Sequence, residues 1–126
     1  MKIFGHPWIQ SPQFITIISK EQIAHTQANS ILLFEDIKKS LKTIQYSQKE
    51  GLPFAVRIST INNTIFAYNL GANYLLVTPQ LAKEIQDIAQ QYLFDTQIIV
   101  EIQNETEIEK YAQMGIDGVI FQQTIK

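Results

Sequence analysis

The sequence predicts an α/β fold: a five- or six-stranded, mainly parallel sheet built from βα repeats, curled as a half-barrel or laid out as a flavodoxin-like layer. Three observations predict it. Apolar runs of strand length recur at ILLF (31–34), FAVRI (54–58), NYLLV (73–77), QIIVEI (97–102) and GVIF (118–121). Their starts lie roughly 20 to 24 residues apart, room for one strand and one returning helix. The runs are almost continuously apolar, as strands covered on both faces require.

The elements follow in order. An N-terminal arm over about residues 1–13 reads as extended, because Pro7 and Pro12 bracket Trp8. Its apolar load, Trp8 and Ile9 with Phe14 just beyond, has to lie against something: as a lid over an open edge or end of the sheet, as a contact with a second subunit, or as a ligand-stacking Trp. FITII (14–18) is a sixth strand candidate, and Ser19 with Gln22 caps a short helix at 20–26. Helical stripes follow at Ile37, Leu41 and Ile44, at Ile61, Ile65 and Tyr68, and at Leu81, Ile85 and Ile88.

Punctuation agrees with this order. Thr78 caps a helix that Pro79 begins, and Asn104 with Glu107 forms a capping box. Gly51, Gly71 and Gly115 each end a helical stretch, where a left-handed residue suits the turn. YNLGANYLLV (68–77) and AQMGIDGVIF (112–121) echo one another as helix end, Gly, spacer and buried strand.

Composition bounds the chemistry. The chain has 126 residues, one domain's worth, with a net charge of −2 and therefore no basic footprint for nucleic acid. It has no Cys, which removes disulfides, thiolate catalysis and Cys-based zinc sites. The N-terminus lacks a signal-peptide h-region and no run reaches transmembrane length, so a cytoplasmic protein with no membrane contact is expected. The wealth of Ile, Gln, Asn and Lys matches the coding bias of an AT-rich bacterial genome.

In parallel sheets ligands sit at the carboxyl ends of the strands. The polar residues there are Glu35, Asp36, Arg57, Ser59, Thr78, Glu101, Gln103 and Gln122. Strand parity puts Ala55, Arg57 and Ser59 on one face, as it does Ile99, Glu101 and Gln103, and Gly118, Ile120 and Gln122. Arg57, the only Arg, either grips an anion while Glu35 or Glu101 orients it, or forms a partly buried ion pair with Glu101. Ser59, Thr60, Thr78 and Asn104 read more simply as helix caps. His6 and His25 lack the spacing of a metal site, and no P-loop, dinucleotide fingerprint or nucleophile elbow occurs. No cofactor and no metal are expected.

GANYLLVTPQLAKEI (71–85) and ETEIEKYAQMGIDGVIF (105–121) give residues 53–121 a resemblance to part of a phosphate-binding (β/α)8 barrel of the keto-deoxy-phosphogluconate aldolase type. The resemblance implies a lysine just after Val119, but Ile120 and Phe121 stand there, and a Gly-rich phosphate loop that FQQTIK does not offer. It therefore implies a truncated relative without aldolase chemistry. The response-regulator receiver is similar in its acidic pair Glu35–Asp36, but Thr78 stands where its phospho-acceptor Asp belongs.

The reading that follows is a non-catalytic binding or interaction module that works as a homodimer. The alternative is a lyase or isomerase acting on a phosphorylated or carboxylate metabolite, a small anionic ligand held by Arg57 with Thr78 and Gln122 nearby and Glu101 or Glu35 as acid or base.

Overall fold

Every strand pair in the molecule is parallel. A computed structural model describes residues Met1–Lys126. The strands are β1 (Lys2–Phe4), β2 (Gln13–Thr16), β3 (Ser30–Phe34), β4 (Phe54–Ile58), β5 (Tyr74–Val77), β6 (Gln97–Ile102) and β7 (Gly118–Phe121). Helices α1 (Ile37–Lys49), α2 (Ile61–Asn69), α3 (Pro79–Gln91) and α4 (Ile108–Gln113) return the chain between strands from β3 onward. Short 3-10 segments cover Lys20–His25, Glu105–Glu107 and Gln122–Thr124.

The strand order is β1-β7-β6-β5-β4-β3-β2, seven strands rather than five or six. The seventh comes from the segment expected to be an extended arm. Lys2, Ile3 and Phe4 pair with Gly118, Val119 and Ile120 on the edge of β7. The rest of that segment, Gly5–Pro12, connects β1 to β2 without a helix.

A flat sheet of this width would hold its two edge strands about 29 Å apart, six spacings of ~4.8 Å. Instead the Phe4 ring on β1 and the Phe14 ring on β2 lie 5.2 Å apart, edge to face. The sheet is therefore curled, in the half-barrel manner, and is not a flavodoxin-like layer. No backbone ladder joins β1 to β2. The seam is bridged by side chains and by the last residues: Gln13 Nε2 donates to the Thr124 carbonyl at 2.5 Å, and the Lys126 N–H donates to the Phe14 carbonyl at 2.9 Å.

Curling divides each strand between two cores. Phe4, Phe14, Ile31, Leu33, Ala55, Leu76, Ile99 and Ile120 fill the concave side, with Tyr74 and Ile125 packed against them. Alternate residues such as Leu32, Val56, Leu75, Val100 and Val119 face the helices in the larger cluster. That is why the runs read as continuously apolar. Small residues fit where the curl is tight. A Cβ on Gly118 would meet Ile99 Cδ1 at 2.7 Å and the Lys2 carbonyl oxygen at 3.0 Å.

Each α-helix ends alike. Leu52, Ala72, Phe94 and Ile116 donate their N–H to carbonyls five residues back, the Schellman closure. The left-handed residue before each is Gly51, Gly71, Leu93 and Gly115. The echo also has a structural meaning: Asn73 and Asp117, each two residues after a Gly, accept the N–H of Phe54 and of Ile98, tying one strand start to its neighbour.

Two helix stripes miss their spacing by one member each, Leu41 on α1 and Ile65 on α2, both 39% exposed. On α2 the buried residues are Thr64 and Ala67, while Ile65 and Phe66 are exposed. The small Thr64 and Ala67 face the sheet, Ile61 and Leu70 pack half-buried against the core, and Ile65 and Phe66 are left outside.

Candidate functional site

The carboxyl ends of the strands form the mouth of the curled sheet, and Arg57 stands in it. Arg57 follows Ala55 on the concave side of β4, above the apolar layer. Its neighbours are carboxylates from two other strand ends. Nε donates to Glu35 Oε2 at 2.5 Å and Nη2 to Glu35 Oε1 at 3.3 Å, a bidentate grip. Nη1 pairs with Glu101 Oε1. The Glu101 side chain is 15% exposed, against 34% for Arg57 and 45% for Glu35. The ion pair expected with Glu101 is thus joined by a second carboxylate. One guanidinium against two carboxylates leaves the trio with one net negative charge.

Arg57, Glu101, Thr78 and Gln122 line one cleft at the mouth, together with Gln103 and Glu107. Gln103 Nε2 donates to Gln122 Oε1 at 3.4 Å. Glu35 lies on the other side of Arg57, at the head of a groove between α1 and α2. Thr78 holds the N-cap position of α3, where its carbonyl accepts the Leu81 N–H, but its side chain makes no cap bond. Asp36, Thr60 and Asn104 do cap with their side chains, accepting from Lys39, Asn63 and Thr106 at 3.1 Å. Glu107 Oε2 accepts the N–H of Gln103 and of Asn104 and so is occupied by the turn.

A second polar cluster escaped the reading of the sequence. The His6 ring is packed on Phe121, centroids 5.6 Å apart. Its Nδ1 accepts the Trp8 N–H at 3.1 Å, so Nε2 carries the proton and donates it to Glu105 Oε2 at 2.9 Å. His6 and Glu105 stand 99 positions apart, and no local pattern links them. No group of three or more His, Cys, Asp or Glu side chains comes together to hold a metal ion.

The three apolar residues of the N-terminal segment part company. Phe14 is 1% exposed, a core residue between Phe4 and Tyr74, and presents nothing to a partner. Ile9 is 42% and Trp8 88% exposed. Trp8 meets the His6 ring edge to face, centroids 5.1 Å apart, and its side chain otherwise stands in solvent rather than over the sheet. No helix is long and apolar enough to cross a membrane.

The only clear shift in acidity belongs to Tyr111 on α4. Burial, and then the nearby Glu107 carboxylate, push its phenol above the usual range. It lies in the sheet–helix core and not at the mouth. No protein-family model matches the chain, and no curated protein does.

Proposed function

We propose that this protein is a non-catalytic interaction module of the bacterial cytoplasm, with a second copy of itself as its partner. The single observation that carries the reading is the condition of Arg57. An anion clamp needs donors free to turn toward a ligand. Here the guanidinium is already committed to Glu35 and Glu101. An incoming phosphate or carboxylate would meet a net negative trio and would have to displace a partly buried ion pair. Ile120, where the resemblance to the aldolases implies a lysine, is 1% exposed in the concave core. The trio is better understood as a clasp that ties the ends of β3, β4 and β6 together.

A thermal-shift panel with inorganic phosphate, sugar phosphates and 2-keto acids tests this. A ligand that binds only the folded state adds about 2.7 kcal/mol of stability at one hundred times its dissociation constant. The melting temperature is expected to stay flat across the panel at millimolar ligand. A rise that disappears in Arg57→Lys would overturn the proposal in favour of a lyase or isomerase using the mouth.

A further inference from the structure

We infer that His6 is a proton-operated catch: its neutral ring holds the turn that carries Trp8, and uptake of a proton releases the Trp8 backbone while the ring stays docked. This goes beyond the interaction-module reading and does not depend on it.

His6, Pro7, Trp8 and Ile9 form a β-turn, closed by the Ile9 N–H donating to the His6 carbonyl at 3.0 Å. Pro7 in the second place supplies the fixed φ that such turns favour. An Asn or Asp in the first place often completes a turn by accepting the N–H two residues on. Here the imidazole takes that part, its Nδ1 accepting the Trp8 N–H at 3.1 Å. An Asn carbonyl accepts at any ordinary pH. An imidazole nitrogen accepts only while it is unprotonated.

The ring is held on its other sides as well. Nε2 donates to Glu105 Oε2 at 2.9 Å, the Phe121 ring lies 5.6 Å away between centroids, and the His6 side chain is only 13% exposed. With Nε2–H already turned to the carboxylate, the proton that an imidazole takes up between pH 8 and pH 5 must land on Nδ1. Two changes follow. Nδ1 becomes a donor, so two N–H groups point at one another where a hydrogen bond stood. The bond from Nε2 to Glu105 joins a cation to an anion and tightens. The ring therefore stays and the Trp8 backbone leaves.

Glu105 is the charged partner of the ring. In the same 3-10 segment Glu107 faces the N–H groups of Gln103 and Asn104 instead. On α4, Glu109 meets Gln113 and Lys110 lies over the Tyr111 ring. The hollow beside the loop is lined, apart from His6 itself, by uncharged residues, among them Gln10, Ser11, Gln13 and Thr124. The turn belongs to Gly5–Pro12, the connector between β1 and β2, where no backbone ladder joins the sheet. Its ends stay tied by the Gly5 N–H donating to Ser11 Oγ at 3.0 Å, so the protonated form frees the middle of the connector.

Nuclear magnetic resonance of the full nitrogen-15-labelled chain, titrated from pH 8 to pH 5, tests the catch. At pH 8 the imidazole nitrogens of His6 are expected to show the Nε2–H tautomer. As the ring takes up its second proton, the Trp8 backbone amide proton should move upfield, losing its hydrogen bond, along the same titration curve. In His6→Asn the side-chain carbonyl accepts at every pH, and the Trp8 amide should hold still throughout. His25→Gln removes the only other imidazole and should leave the Trp8 curve as in wild type.

An Nδ1–H tautomer at pH 8, a His6 ring that stays neutral down to pH 5, or a Trp8 amide that does not move while the ring titrates each overturns the inference. So does a Trp8 shift that survives in His6→Asn or vanishes in His25→Gln. Should His6→Asn not fold, the wild-type titration still decides, because the Trp8 curve must coincide with that of the His6 ring and not with that of His25.

Discussion

Leu93 is the most informative single position for stability. Four helix ends share one closure, but three place Gly at the left-handed residue and the fourth places Leu93 at φ 55°. A side chain with a Cβ costs about 1–2 kcal/mol in that conformation. Leu93 regains little through packing, because it is 84% exposed. Leu93→Gly removes the conformational cost and gives back about 0.5–1 kcal/mol through the freer unfolded chain. The balance is a gain of about 0.5–1 kcal/mol, or a rise in melting temperature of about 2–5 °C for a domain of this size. Leu93→Ala keeps the strained geometry and should change stability by less than about 0.5 kcal/mol. The mirror substitution, Gly51→Ala, places its Cβ where nothing lies within 4 Å, so it should lose about 1 kcal/mol from conformation alone. Urea unfolding of all three, with an unchanged m-value, gives the comparison. Equal gains from Leu93→Gly and Leu93→Ala would refute the reasoning, since exposure of the side chain and not its backbone would then be the cause.

Further outcomes concern the concave core, the clasp and the buried phenol. Gly118→Ala should destabilise by about 1–3 kcal/mol, because its Cβ meets Ile99 and the β1 backbone; calorimetry measures it, and a neutral result would mean that β1 is free to shift. Glu101→Gln should cost about 1–3 kcal/mol in urea unfolding and Glu35→Gln less than about 1 kcal/mol, since Glu101 is much the more buried partner of Arg57; the reverse order would remove the clasp. Tyr111 has its acidity weakened in the folded state, so its contribution is fully present below the ordinary phenol range near pH 10 and is lost as pH rises through the higher folded value. Unfolding free energies from pH 8 to 11 should fall in wild type and fall less steeply in Tyr111→Phe; parallel curves would discount the phenol.

The strands from β3 to β7 were legible because each is buried on both faces, and β4, β5 and β7 are also preceded by a helix end with its own Gly. Strand β1 was not. Lys2–Phe4 is three residues long, has no turn signal before it and forms a ladder on only one edge, so the prolines that follow dominate the reading. The α2 stripe misled at Ile65 because spacing weighs an Ile above Thr64, whereas the helix turns Thr64 and Ala67 to the sheet. At the mouth, parity placed Arg57 and Glu101 on a common face, and the lone Arg marked the spot. That Glu35 would reach the same guanidinium depended on the curl, which no local pattern encodes. The His6–Glu105 contact had no local trace, since it is made wholly by tertiary folding.

The gap between β1 and β2 gives the molecule a line of weakness. Everywhere else around the curl, neighbouring strands share a ladder of backbone bonds; there, aromatic rings, one glutamine and the final residue do the joining. Rings slide where ladders lock, so breathing of the native state is concentrated at this slit, and the amides flanking it should be the first to trade hydrogen for deuterium. An opening there would wet Phe4, Phe14 and Tyr74 together while the helices on the convex side stayed in place.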